Sequence, residues 1–171
     1  MRAVRSVPFL LGALAFVSTC RCEVAVDVTV CKLLADPDAY DHKLVRVSGR
    51  ASFAFEDFTL TSKKCPVQRG GIWLDYGGTL KSRAIPAGRS PRRQRALTVE
   101  GVTTTLVEDS KFAEFDSSLH EPPGASLNAT FVGRYFAGKS GVNGVKEWRG
   151  FGMWGMFSLL VIQQVLSSEA K

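Results

Sequence analysis

Residues 43–55 read KLVRVSGRASFAF. Val45, Val47, Gly49, Ala51, Phe53 and Phe55 fall on one side of an extended chain, and Arg46, Ser48, Arg50 and Ser52 fall on the other. Side chains alternate across a strand, so this period of two predicts a long strand with one face buried and one in water. Gly49 leaves the buried face with nothing to pack. A glycine in mid-strand marks a bulge or a tight coil, which a barrel needs where one strand bends through two sheets.

The stretch before this strand, TVCKLLADPDAYDHK (29–43), carries helix signals. Thr29 is a cap for a short helix in which Val30, Leu33 and Leu34 share a face. Asp36 followed by Pro37 starts a second helical turn, with the proline at its first position. Tyr40 packs back, and Asp41-His42-Lys43 turns the chain outward. After the long strand come FTLTS (58–62), reached through Glu56-Asp57, and GGIWLDY (70–76), in which Ile72, Leu74 and Tyr76 alternate with Trp73 and Asp75. ALTVEGVTTTLV (96–107) reads as one strand with a second internal glycine, Gly101. SKFAEFDSSL (110–119) places Phe112, Phe115 and Leu119 at helical spacing. SLNATFVGRYF (126–136) alternates Leu127, Ala129, Phe131 and Gly133; a glycine-rich loop spans 137–155, and FSLLVIQQV (157–165) closes the chain as a strand. A long coiled strand, further strands, one small helix and a closing strand match a mainly β fold, a small OB-like Greek-key barrel preceded by a short N-terminal helix. A β-sandwich is the alternative.

The chain opens MRAVRSVPFLLGALAFVSTCRC. Arg2 and Arg5 precede an apolar run of 11 residues, Val7 to Val17. A run of that length covers about half of a hydrocarbon core, so it reads as the apolar region of a secretory signal peptide and not as a membrane span. It ends VSTC, which resembles a bacterial lipobox with Cys20 as the lipidated residue; Thr19 departs from the Gly, Ala or Ser usual there. The organisation expected is a signal peptide at 1–19, a tether at 20–28, one OB-like β-barrel domain at 29–166 with a basic loop at 77–95, and a tail at 167–171. An exported product is periplasmic or a membrane-anchored lipoprotein, with full secretion the lesser alternative. Without residues 1–19 about 150 residues remain, enough for one domain with its own core.

The formal net charge is +6. Lys81, Arg83, Arg89, Arg92, Arg93 and Arg95 sit in one acid-free stretch, GGTLKSRAIPAGRSPRRQR (77–95), and without them and the two leader arginines the remainder is net negative. This is a near-neutral domain with one basic loop. Nucleic-acid binders interleave cations with aromatics that stack on bases, and Lys81 to Arg95 holds no aromatic residue. Nucleic acid is therefore a poor fit as a partner. Pro86, Gly88, Ser90 and Pro91 mark a solvated loop, and Arg89, Arg92, Arg93 and Arg95 are candidate contacts to an anionic surface. Arg-x-x-Arg at 92–95 and the Asn128-Ala129-Thr130 sequon bear on processing only in a eukaryotic host.

Chemistry-bearing motifs are sparse. Four cysteines lack zinc-site spacing: Cys20 and Cys22 belong to the leader or its edge, and Cys31 and Cys65 stand alone in the domain. An exported chain meets an oxidising compartment, where structural disulfides persist, so Cys31 and Cys65 are expected to pair. His42 in a turn and His120 ahead of Pro122-Pro123 read as surface residues, and Asp75 and Glu100 as carboxylates on solvated strand faces. No nucleophile elbow, phosphate loop or dinucleotide fingerprint is present. No cofactor and no metal is implied.

The runs VCKLLADPDAYDHKLVRVSGRASFAFEDFTLTSKKCP, GGIWLDYGG, GRYFAGKSG and FGMWGMFSLLVIQQV together resemble a group of uncharacterised exported bacterial proteins. Their pattern is C-x-L-L-x-x-P-x-x-Y-x-x-K-x-V-x-V-x-G, then a CP pair and an IWL(D/E)Y strand. The resemblance implies compartment and architecture but no reaction. This chain has Asp41-His42-Lys43 where the group often has Asn-Gly-Lys.

These readings favour a non-catalytic envelope module that binds a protein or an envelope polymer, with Trp73, Trp148 and Trp154 as anchors, since large aromatics dominate interface energetics. The alternatives are an enzyme whose site assembles from dispersed carboxylates and His120, and an anion- or nucleic-acid-binding OB module acting through the basic loop. A groove shared by Trp148, Trp154, Asp75 and Arg46 would favour the first. Residues 1–25 fused to a reporter should carry it across a membrane, and Cys20→Ala should abolish labelling by a fatty-acid probe; a wild-type fusion that is exported but unlabelled would exclude the lipoprotein form.

Overall fold

The computed structural model describes residues 23–54, 57–65, 71–78, 97–120, 125–140, 148–152 and 155–170. The strands in chain order are β1 (Val26–Thr29), β2 (Leu44–Ala54), β3 (Asp57–Thr61), β4 (Ile72–Tyr76), β5 (Leu97–Val99), β6 (Val102–Thr104), β7 (Ser126–Phe136), β8 (Lys139–Ser140), β9 (Trp148–Arg149) and β10 (Ser158–Ala170). Two α-helices, α1 (Val30–Ala35) and α2 (Ser110–His120), and a 3-10 turn, Asp38–Tyr40, complete the set.

β2 follows the alternation in its sequence: Val45, Val47 and Ala51 are buried, while Arg46, Ser48 and Arg50 are exposed. It pairs with β7 along one edge, from Leu44 opposite Arg134 to Ser52 opposite Ser126. Its other edge serves two partners. β1 runs parallel to residues 45–48, and β3 runs antiparallel to residues 50–54. Gly49 lies at the change of partner. A Cβ there would stand 2.7 Å from the Thr61 carbonyl oxygen and 2.8 Å from a Leu60 methyl, so the close approach of β3 requires glycine.

From β3 the order continues through β4 and β10 to β7, which returns to β2. Five strands thus close a barrel, with β4 and β10 parallel and the other seams antiparallel. The order β2-β3-β4-β10-β7, with α2 between β4 and β7, is that of an OB-like Greek-key barrel. Leu60, Ile72, Leu74, Phe131, Leu160 and Ile162 fill the interior with no exposed surface to speak of. α2 starts on Asp109, whose carboxylate accepts the Phe112 N–H at 2.9 Å. Its buried face is Phe112, Phe115 and Leu119, with Phe115 edge-on to Phe131 at 5.2 Å inside the barrel and Phe112 edge-on to Tyr76.

The N-terminal segment also follows its signals. Thr29 accepts the Lys32 N–H, and the Asp36 carboxylate accepts the Ala39 N–H. Four sequence expectations need correction. Residues 26–28, read as tether, form most of β1, and residues 167–170, read as tail, extend β10 alongside β7. The expected strand 96–107 is a hairpin: Glu100 and Gly101 both take positive φ, 47° and 80°, and turn β5 back onto β6. The expected loop 137–155 contains the paired strands β8 and β9. In the hairpin, the period-two count ran through a two-residue turn that shifts the alternation.

The first part of β10, residues 158–162, is buried on both faces. Leu160, Ile162 and Val165 face the barrel interior, whereas Leu159 and Val161 join Phe136 in a second apolar cluster on its outside. Half-buried Leu97, Val99 and Val102 of the hairpin, with Trp73 and Phe151, cover that cluster.

Cys31 and Cys65 stand at disulfide distance, with sulfurs 2.11 Å and Cα atoms 5.2 Å apart. The bond ties α1 to the chain leaving β3 and closes 34 residues of sequence, worth roughly 3 to 4 kcal/mol in the chain-entropy account. Denatured, unreduced protein with Cys20 and Cys22 replaced should show no free thiol, and reductant should lower its melting temperature; two titratable thiols per chain would contradict the pairing.

Candidate functional site

The fork in β2 opens into a groove of about 590 Å³. Its floor is the outward face of β2 and β7, where Ser48 and Thr130 hydroxyls meet at 2.9 Å and Arg50 Nε donates to Ser126 Oγ at 2.9 Å. One side is Thr29 to Cys31, and Thr61 to Lys64 and the end of β10 complete the lining. The disulfide links those first two segments, so the width of the groove at that side is covalently set. Arg50, Lys63 and Lys64 make no ion pair among the described residues, and Glu169 is the carboxylate of the lining. The groove is hydroxyl-rich with an excess of positive charge. Sequence alternation placed Ser48 and Arg50 on the wet side of the strand; only the closure of β7 onto β2 shows that this side is concave.

Part of the customary ligand face of an OB barrel, across its second and third strands, is covered here by the chain itself, at Thr59 and Trp73. On the outside of β3 and β4, Thr59 is buried opposite half-buried Trp73. The Trp73 indole packs on Phe157, ring centroids 5.6 Å apart, and lies directly under Gly152, where any side chain would collide with it. Trp73 is thus part of a packed surface. The Trp148 and Trp154 side chains, Cys20, and Arg89, Arg92, Arg93 and Arg95 lie outside the described residues.

The remaining sequence candidates do not converge on one another. Arg46 pairs with Asp27 at 3.3 Å on an exposed surface. Asp75 points outward from β4, and its carboxylate accepts the neighbouring Tyr76 N–H. His120 is neither in a loop nor on the surface as expected. It ends α2 with a side chain 10% exposed, its Nδ1 2.7 Å from the Asp116 carbonyl oxygen, and its ring against Phe53 at 4.3 Å. The two prolines at 122 and 123 suggested a loop, but the helix runs as far as His120. Glu100 is not on a strand face but in the hairpin turn, where its carboxylate meets His42 Nε2 at 2.7 Å. The Glu-Gly pair between LTV and VTT was the available signal for that turn.

Two tyrosines are held as donors. Burial pushes the Tyr135 phenol up to about 12, with the charges of Asp41 and Asp38 adding to the shift, and its hydroxyl donates to the Leu33 carbonyl across the core. Burial, then the nearby Asp116 carboxylate, raises Tyr76 well above the ordinary phenol range, and its hydroxyl donates to Asp116. Arg134 grips Glu23 with both terminal nitrogens, at 2.7 and 2.6 Å, and donates to the His42 carbonyl. That bidentate hydrogen bonding holds the Glu23 carboxyl below the usual carboxylate range.

No protein-family model, curated protein or solved structure matches this chain.

Trp73→Ala should cost about 2 kcal/mol in denaturant unfolding, less than a full core truncation because the indole is half-buried. A change within about 0.5 kcal/mol, as for a free surface residue, would show that the packing under Gly152 is absent in solution.

Proposed function

We propose that this chain is an exported, envelope-associated and non-catalytic binding module, and that its fork groove holds an extended segment of an anionic envelope polymer. The observation that carries the reading is the composition of the groove. Three cations without carboxylate partners among the described residues stand over a floor of hydroxyls. Hydroxyls and amides hydrogen-bond sugar or phosphate oxygens, and guanidinium and ammonium groups complement carboxylate or phosphate. The groove is formed by outward strand faces, which suits a chain lying across it.

The apolar leader and the paired cysteines support export, since such pairs persist in oxidising compartments. The absence of a role in catalysis rests on how the candidate groups are engaged. His120 is committed to its own helix, and Glu100 to His42. A protein partner would be expected to use the same groove with acidic side chains.

A polyuronate oligomer is the probe. Lys63→Glu combined with Lys64→Glu should weaken its binding at least tenfold and flatten the salt dependence, because screening acts on exposed charges. Both lysines are exposed, so the melting temperature should hold. Equal affinity of variant and wild type, or no binding by wild type at low salt, would overturn the reading.

A further inference from the structure

Outside the groove, the turn at 41–43 meets the tip of the β5–β6 hairpin. His42 Nε2 stands 2.7 Å from Glu100 Oε2, and Asp41 brings a carboxylate oxygen so that the three donor atoms lie within 4.8 Å of one another. His42 and Glu100 are also the two non-glycine residues, among those described, with left-handed backbone, φ 58° and 47°. Glycine takes that conformation without steric cost, and a two-residue hairpin turn favours Asn, Asp or Gly at its first position. Histidine is among the residues enriched in this conformation, whereas glutamate is not; each position carries a long polar side chain, and the two side chains touch.

The donors are also oriented. Asp41 Oδ1 accepts the Ala137 N–H at 2.9 Å. The His42 ring stands edge-on to buried Phe136, and the residue's backbone is fixed on both sides: its main-chain N–H donates to the Tyr135 carbonyl and its main-chain carbonyl accepts from Arg134. One imidazole and two carboxylates form a nitrogen–oxygen set suited to first-row divalent ions, with bonds near 2.0 to 2.2 Å. Ligand atoms around such an ion stand about 3.3 Å apart in a tetrahedral shell, so small side-chain rotations bring these three together. Supporting hydrogen bonds of this kind set ligand orientation in metal sites.

We propose that Asp41, His42 and Glu100 bind a divalent transition-metal ion of the zinc class, with water completing its coordination, and that the ion fastens the β5–β6 hairpin to the barrel. The hairpin covers the outer apolar cluster of Phe136, Leu159 and Val161, so the ion steadies that cover. The two segments it joins are separated by 58 residues of sequence. Neither residue set nor role overlaps with the fork groove.

The test uses the full chain, free of any tag, with Cys20→Ser and Cys22→Ser to remove competing thiols, and zinc ion alone as probe. Calorimetric titration should show one site per chain, and zinc should raise the melting temperature. Asp41→Asn and Glu100→Gln should each weaken binding at least tenfold, the scale expected for loss of a ligand or its support. His42→Gly separates the ion from the turn: glycine's relief of the backbone offsets the lost contacts to Phe136 and Glu100, so the zinc-free variant should stay folded while losing the zinc-dependent rise. Absence of stoichiometric binding by wild type, or unchanged isotherms in Asp41→Asn and Glu100→Gln, would overturn the site and leave a simple histidine–carboxylate hydrogen bond.

Discussion

The approach of β3 to β2 at Gly49 is the constraint on which the architecture turns. With the Thr61 carbonyl oxygen 2.7 Å from where a Cβ would stand, the chain can change partners within one strand edge, from β1 to β3, without a break in β2. That change gives the two halves of β2 different neighbours on one edge, β1 along residues 45–48 and β3 along residues 50–54. It lets the opposite edge stay paired with β7 over its length, and the barrel closes through that seam. The same change of partner leaves the fork that becomes the groove. A side chain at position 49 would push β3 away, and closure and groove would be lost together. The Cys31–Cys65 pair then fixes the two chain segments that diverge at the fork, so that geometry is set by one covalent and one steric constraint.

The first part of β10, residues 158–162, is buried on both faces. An ordinary barrel strand keeps polar residues outside, yet Leu159 and Val161 face outward and are covered by the hairpin and by Phe151. Exposed apolar surface of that kind is otherwise an aggregation or interface liability. Here it is met by segments that a minimal barrel does not need. The cost is that the outer face of β3 and β4 is no longer free at Trp73, whereas the polar wall of β2 and β7 stays open. Leu-and-Val content on β10 and glycine at 152 are thus one adaptation seen from two sides.

How much of this was legible in the sequence depends on how local the determinant was. β2, β7 and α2 carry strong periodicity, and the caps at Thr29 and Asp36 act over three residues; these were read correctly. The cysteine pair followed from compartment and elimination. The hairpin at Glu100-Gly101 was missed because apolar residues resume on both sides of the turn and imitate a continuous strand. His120 was misplaced because Pro122-Pro123 signals the end of a helix but not whether its last residue faces the core; Phe53, 67 positions earlier in the chain by number, decides that. The groove was illegible in principle. Its residues come from β1, α1, β2, β3, β7 and β10, and no pattern within any one of them records the curvature that brings them together.

β7 also separates the two polar centres. The groove uses Asn128 to Thr130, whereas Asp41 and His42 are held by Arg134, Tyr135 and Ala137 near the other end of the strand. At about 3.3 Å per residue the two regions lie roughly 20 Å apart along the wall. Exposed charges at that distance are screened from each other at physiological ionic strength, where the screening length is about 8 Å. Coupling between them would have to travel through the strand itself, and β7 is paired along both edges, to β2 and to β10. A strand so held has no second register to adopt without breaking both seams and turning its buried face outward. The two centres therefore belong to different parts of the molecule: one is an open polar groove on the wall of β2 and β7, and the other joins the turn at 41–43 to the tip of the β5–β6 hairpin.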